Sequence, residues 1–396
     1  MKKIYLSSAR SQIARPRTIR DINNRIVLNY VRARPRISRA DISRETSLQR
    51  STVSSIVEEL LDAGLIEDIG TSYSTGGRKP SLLQLKTGTP VAIGVDITPR
   101  ETTIVLADLG GNILRKDNFS TSSDIDYMNE QILSKVSVYS RENDTFDLEV
   151  GISIPGIADQ VSGSILYIPY FQWVNWDIGR QISKATSLRV IIDNDANAVA
   201  LAELWFGDLE IRLTHNFILI MVAEGIGTGI VIEGEVYRGE NGAGGEFGHM
   251  YFKENAPVDC SCGSRDCWEA HASEKAVISR YRAATASPTS MISMEHLIGL
   301  AQNGDEHAIG VLKETAVYLG IGISNIIIGF SPQAVVLSGS IVRAWNLIKD
   351  DIDNYGRRSI RKELSRARIV PSTLGDSPTI LGAISLVLSR KFASAS

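Results

Sequence analysis

The stretch Leu48-Gln49-Arg50-Ser51-Thr52-Val53-Ser54-Ser55-Ile56-Val57-Glu58-Glu59-Leu60-Leu61-Asp62-Ala63-Gly64 carries its apolar residues at Val53, Ile56, Val57, Leu60 and Leu61. That spacing of three and four predicts a helix over 48–63, with Gly64 placed to stop it. Working upstream, Ile37, Ala40 and Ile42 mark a second helix with Ser38 as its N-cap. Ile22, Ile26, Val27, Tyr30 and Val31 mark a first. Thr46-Ser47 form the short turn before the third, so the pattern is helix-turn-helix. Downstream, Leu65-Ile66-Glu67 reads as a strand and Leu82, Leu83 and Leu85 as its return. Gly76-Gly77-Arg78-Lys79-Pro80 lies between them and forms the tip of a wing.

In such a unit the start of the third helix enters the major groove, which places Gln49, Arg50, Ser51 and Thr52 against base edges and phosphates of double-stranded DNA. Arg78 and Lys79 at the wing tip reach the minor groove or backbone, and Arg15, Arg17 and Arg20 add phosphate contacts that carry affinity without sequence information. Charge agrees. Residues 1–90 hold 16 Lys+Arg against 8 Asp+Glu, whereas residues 91–396 hold 26 against 37, so the overall −3 conceals a basic head on an acidic body. A three-helix protein-interaction module with a solvated basic face is the alternative; the turn chemistry, charge and wing together favour DNA.

From Val91 the pattern changes to strands at 91–97 and 103–108, a Leu109-Gly110-Gly111-Asn112 turn, and further buried strands at 150–154, 190–193, 217–223 and 335–337, with helices between them. This predicts an α/β body of about 300 residues in two lobes. The expected division is 1–88 for the winged helix-turn-helix, 89–197 for a first lobe completed by a C-terminal helix over 379–396, and 198–378 for a second lobe. No run of about 18 apolar residues and no signal-peptide pattern at the basic start are found in the sequence, so a cytoplasmic protein without membrane contact is expected. The three cysteines all fall between Cys260 and Cys267, too tight for a disulfide framework, which points to a metal.

Three motifs make the body recognisable: Asp193-Asn194-Asp195-Ala196-Asn197-Ala198, the stretch Arg238-Gly239-Glu240-Asn241-Gly242-Ala243-Gly244-Gly245-Glu246-Phe247-Gly248-His249, and Cys260-Ser261-Cys262-Gly263 continuing to Cys267-Trp268-Glu269. They resemble the ROK family of repressors and sugar kinases over residues 20–390. The resemblance implies an actin/hexokinase-like body with a sugar in the cleft between lobes, and its transcription regulators imply a sugar-responsive repressor acting on operator DNA as a homodimer or homotetramer. Asn194, Asp195, Glu246, His249 and Glu269 match the family's sugar-holding positions. Chemistry agrees, because sugar hydroxyls are donors and acceptors at once and need carboxylates, amides and imidazoles around them. His249, Cys260, Cys262 and Cys267 form the Cys3His set of a structural zinc site, at which the family also places zinc; Asp266 replaces the family's usual Gly. Such a zinc would orient the sugar site rather than catalyse.

Asp195 matches the catalytic base of the family's kinases. An active kinase must also cradle ATP, which the family does with an Asp-x-Gly-Gly-Thr turn, whereas this chain reads Asp96-Ile97-Thr98-Pro99-Arg100-Glu101. Pro99 removes an N–H and Glu101 repels phosphate. Ala223-Glu224 stands where the kinases have Gly-Thr, before Gly225, Gly227 and Gly229, and Ser338-Gly339-Ser340 replaces a Gly-Gly. The expectation is therefore no enzyme and no ATP, with Asp195 a vestigial base. A sugar kinase with a DNA-binding head and a zinc-thiol redox regulator are the alternatives. Tyr170, Phe171 and Trp173 lie in a segment that approaches the sugar in the family, yet they read equally as core aromatics. Which sugar binds, and whether it induces or corepresses, is not encoded in these motifs; nor are the operator sequence and the choice of dimer over tetramer.

Overall fold

The computed structural model describes residues 16–71, 81–143, 148–285, 292–358 and 367–394. Its contacts group into two units: one is built on the chain up to Thr89 with the Asp108–Asn112 turn and the C-terminal end from Leu388, the other on Pro90–Ala107 and Ile113–Val387.

The first unit contains α1 (Pro16–Ala33), β1 (Ile37–Ser38), α2 (Arg39–Thr46), α3 (Arg50–Asp62), β2 (Ile66–Thr71) and β3 (Ser81–Leu85). Val27, Val31, Ile42, Val53, Val57 and Leu83 are fully buried at its centre, each contributing roughly 1.5–3 kcal/mol of hydrophobic stabilisation. Ile37 corrects the expectation of a helical residue. Arg36 takes a positive φ of 70° and donates its N–H to Leu83 O, which reverses the chain and pairs Ile37 with Leu83 in strand β1. Ser38 is the expected cap of α2, closing a capping box with Asp41. Helix α3 begins two residues later than its apolar spacing indicated, at Arg50, with Gln49 as an N-cap that makes no side-chain cap bond. Gly64 ends it at φ 68°.

The second unit holds two five-stranded sheets. In chain order its elements are β4 (Ala92–Ile97), β5 (Glu101–Ala107), β6 (Ile113–Ser120), α4 (Ile125–Glu142), β7 (Glu149–Ile154), β8 (Ile157–Asp159), β9 (Ser164–Ile168), β10 (Trp173–Trp176), α5 (Ile178–Thr186) and β11 (Arg189–Asn194). There follow α6 (Asp195–Phe206), α7 (Leu209–Arg212), β12 (Phe217–Val222), β13 (Ile226–Ile232), β14 (Glu235–Tyr237), α8 (Trp268–Ala272), α9 (Glu274–Thr285), α10 (Met294–Gln302), α11 (Glu306–Phe330), β15 (Ala334–Gly339), α12 (Trp345–Gly356), β16 (Arg368–Pro371) and α13 (Pro378–Ser394), the last of which belongs to this unit up to Val387.

The sheets run β11-β7-β4-β5-β6 and β14-β13-β12-β15-β16. Each is built the same way: a three-strand antiparallel meander whose first strand is flanked on its other side by two parallel strands. This repeated topology makes the β4–β5 turn of one lobe the counterpart of the β12–β13 turn of the other. Helix α13 approaches closely through small residues: a Cβ on Gly151 would lie 2.0 Å from Ala383 O, and one on Gly382 would lie 2.8 Å from the Ala198 carbonyl carbon. Among the described residues, α11 is the one helix long and apolar enough to cross a membrane. It is instead largely buried, with Leu319 and Ile323 in the core of the second lobe.

Candidate functional site

Two surfaces carry the candidate chemistry. In the first unit, Gln49, Arg50 and Ser51 are exposed and Thr52 half-buried at the N-terminus of α3, whose first-turn N–H groups point outward with no side-chain cap. Arg20 pairs with Glu59 and hydrogen-bonds Ser55 Oγ at 3.4 Å, so it lies against α3. Arg78, Lys79 and Arg15 fall outside the described residues.

In the second unit, a cavity of about 840 Å³ opens between the two sheets. Asn194, Asp195, Glu246, His249 and Glu269 all line it, so five residues spread over 76 positions of sequence share one space. Asn194 ends β11 and caps α6: its Oδ1 accepts from Ala196 N and Asn197 N and its Nδ2 donates to Gly156 O at 3.1 Å, which leaves one N–H for a ligand. Asp195 opens α6. Burial pushes its carboxyl up to about 7, and Asp96 and Glu246 add repulsion. Asp193, buried behind them, receives Arg238 Nε at 2.8 Å, Gln160 Nε2 at 2.6 Å and Asn197 Nδ2 at 3.2 Å. The Arg238 bond ties the first sequence motif to the start of the second.

Glu269 is positioned from behind. Trp268 is fully buried, its Nε1 donates to Tyr318 O at 3.0 Å, and its ring fills the space where a Cβ on Gly322 would come within 2.1 Å. With α8 so anchored, Glu269 Oε2 accepts from Ile226 N at 3.0 Å. A Cβ at Gly225 would lie 2.2 Å from that oxygen, so any larger residue there would displace the Glu269 carboxylate. Tyr170 lines the cavity. Trp173 belongs to the core of the first lobe, with Tyr170 and Phe171 packed against it, and Phe171 stacks on Trp173 at 4.6 Å between centroids.

His249 joins two groups. Its Nδ1 lies 3.2 Å from Cys260 Sγ and its Nε2 lies 3.6 Å from Glu246. The ligand atoms of His249, Cys260, Cys262 and Cys267 fall within 4.8 Å of one another, with Cys262 and Cys267 Sγ 3.5 Å apart. A tetrahedral zinc with sulfur at about 2.3 Å requires ligand separations of roughly 3.8 Å, so the donor set and spacing fit. Burial pushes the Cys260 and Cys267 thiols up, and a cation would hold them as thiolates.

The nucleotide half of the cleft is differently furnished. Thr98 N donates to Glu101 O, Thr98 Oγ1 donates to the same oxygen at 2.7 Å and Glu101 N donates to Thr98 Oγ1 at 3.1 Å. The amides of Thr98 and Glu101 are thus spent on the turn itself, and Pro99 has none. Arg100 Nε lies 3.2 Å from Glu224 Oε1, and Lys275 Nζ lies 3.3 Å from Glu224 Oε2 and 4.6 Å from the Tyr170 ring centroid. Sequence reasoning saw Glu224 as a repulsive carboxylate and missed its partners, Arg100 on the equivalent turn of the other sheet and Lys275 on α9.

A winged helix joined to a duplicated actin/hexokinase-like body defines a regulator-like class of the sugar-kinase fold. The profile of winged helix-turn-helix DNA-binding units matches residues 20–67, and that of the ROK family matches residues 92–390; the chain belongs to the ROK family. It is 32% identical over 375 residues to the xylose repressor of Bacillus spizizenii, covering 93% of this chain and 96% of that one. Its structure matches that of a ROK family transcriptional regulator, a homolog of the E. coli MLC protein, with a TM-score of 0.76, 28% identity and coverage of 95% and 97%. A ROK family glucokinase from Streptomyces griseus, in complex with glucose and AMPPNP, matches with a TM-score of 0.65, 26% identity and coverage of 74% and 97%.

Proposed function

We propose that this chain is a sugar-responsive transcription repressor of carbohydrate metabolism genes. The observation that carries the reading is a cleft lined by Asn194, Asp195, Glu246, His249 and Glu269, in a chain that also presents Gln49, Arg50, Ser51 and Thr52 on an uncapped helix N-terminus. The xylose repressor relative supports it. In this reading the α3 N-termini of a homodimer or homotetramer, with the Arg78-Lys79 wing, read a near-palindromic operator. A monosaccharide or its derivative binds in the cleft and biases the lobes, and operator affinity changes in step.

The protein is not a kinase in this reading. Asp195 keeps the position of a base, but the amides of Thr98 and Glu101 are consumed locally, and Glu224 adds a carboxylate to the cavity lining that would oppose a triphosphate. His249 Nδ1, Cys260, Cys262 and Cys267 would hold a structural zinc, with His249 Nε2 left turned toward Glu246 and the loop leading to Glu269 tied down.

The test is a gel-shift titration on duplexes selected by the protein from a random pool, against a panel of sugars. The expected result is a shift in operator affinity of at least tenfold with one sugar. Affinity unmoved by every sugar would overturn the reading.

A further inference from the structure

Glu269 stands on a helix that cannot hold itself. α8 has five residues, far below the about 12–15 that an isolated helix needs in water, so its geometry comes from what it is tied to. Trp268 ties it to α11. A second tie runs toward His249. The segment after His249 pairs antiparallel with the one entering α8: Trp268 N donates to Met250 O and Phe252 N to Asp266 O, with Tyr251 opposite Cys267. One helical turn beyond Cys267, the side chain of His271 extends this pairing, its Nε2 lying 2.7 Å from Lys253 O.

A carbonyl oxygen only accepts, so Nε2 is the nitrogen that carries the proton. The ring is buried, with its centroid 5.5 Å from those of Phe252 and Tyr318. The main chain of His271 is fixed as well. Arg280 Nη1 donates to His271 O at 2.6 Å and Arg280 Nη2 to Thr315 Oγ1 at 2.5 Å, and Thr315 is fully buried on α11. His271 thus joins a framework anchored on α11 to the stretch that begins at His249. His249 and Glu269 line the cleft from the two segments so joined, whereas His271 is not among the residues that line it. A site that reads hydroxyls needs its groups held to within about 0.5 Å. The His271 bond closes the pairing at the Lys253 end, away from the His249 and cysteine set.

Resting on the sugar-responsive reading, we infer that His271 is a positioning residue of the sugar site: its bond to Lys253 O fixes the spacing of His249 and Glu269, and with it the affinity for the effector. It acts through those two residues without touching the sugar.

The experiment is isothermal titration calorimetry of xylose, glucose and N-acetylglucosamine on the full chain, comparing the parent with His271→Phe and His271→Gln. Phenylalanine keeps a ring of similar size and loses the donor. Glutamine carries an amide N–H about as far from the main chain as Nε2 and restores it. For the sugar that binds the parent, His271→Phe is expected to weaken affinity at least fivefold and His271→Gln to return it to within twofold. Zinc per chain and operator affinity without sugar are expected to stay at the parent values in both. A role in stability alone would instead leave sugar affinity of the folded protein unmoved. Should His271→Phe not fold, long-range proton–nitrogen spectra of the histidine-labelled parent decide, the Nε2–H tautomer of His271 being expected. Parent-like sugar affinity in His271→Phe, no recovery in His271→Gln, zinc lost in step with sugar, or an Nδ1–H tautomer overturns the inference and leaves the repressor reading intact. Failure of the parent to bind any of the three sugars overturns both.

Discussion

Arg100 Nε lies 3.2 Å from Glu224 Oε1, and the two residues occupy equivalent turns of two sheets built in the same strand order. The two turns thus meet through an ion pair. Because Arg100 is 71% exposed, the pair is worth no more than about 1 kcal/mol. Arg100→Ala is therefore expected to leave the urea midpoint almost unchanged. Magnesium ATP should still produce no thermal shift in that variant, since Thr98 and Pro99 continue to deny it amides.

Arg238 presents the opposite case. Its partner Asp193 is 5% exposed in its side chain, so Arg238→Ala strands a buried carboxylate. The expected loss is about 3 kcal/mol, read by urea denaturation; a loss below about 1 kcal/mol would show that Gln160 and Asn197 satisfy Asp193 without it.

Stability should also depend on pH through Glu203. This residue is buried on α6, its Oε1 has no partner, and burial raises its carboxyl from 4.5 to about 7. A raised acid favours the folded state while protonated. Its contribution is complete below the unfolded value near 4.5 and is lost as pH climbs through about 7. Glu203→Gln is expected to match the parent at pH 4.5 and to exceed it by about 3 kcal/mol at pH 8. Equal pH profiles for the two proteins would refute this.

For the metal, Cys262→Ser is the chosen variant because Cys262 is exposed and its loss opens no cavity. The native protein is expected to carry one zinc per chain by elemental analysis and the variant less than a fifth of that, with sugar affinity at least tenfold weaker as His249 and the Glu269 loop lose their anchor. Native protein free of zinc would contradict the assignment.

At the DNA end, Arg50→Ala should weaken operator binding at least tenfold, equivalent to about 1.4 kcal/mol, while sugar affinity in calorimetry stays within twofold. Equal loss of both would make the head structural.

Much of this was written in local sequence. The spacing of Val53, Ile56, Val57 and Leu60, with Ser38 as a start and Gly64 as a stop, was enough for the helix-turn-helix, because helix period and caps are local properties. Ile37 was misplaced because its strand exists only through Leu83, 46 residues away. The candidate sugar residues were legible as motifs, but their convergence on one cavity was expected from the family resemblance and not from spacing, since Glu246 reaches it from a loop and Glu269 from α8. Tyr170 could not be told from Phe171 and Trp173, as neighbouring aromatics in an irregular segment carry no period. Least visible was the pairing of Arg100 with Glu224, 124 residues apart, which follows from the duplicated topology rather than from either motif.

The central claim is that sugar in the cleft and DNA on α3 are coupled. Linkage makes that claim symmetrical: whatever factor the sugar imposes on operator affinity, the operator must impose on sugar affinity. The decisive measurement is the sugar dissociation constant by calorimetry with and without saturating operator duplex, set beside the operator constant with and without saturating sugar. Two equal ratios of at least tenfold are predicted, and a sugar constant identical in the presence and absence of operator would contradict the account.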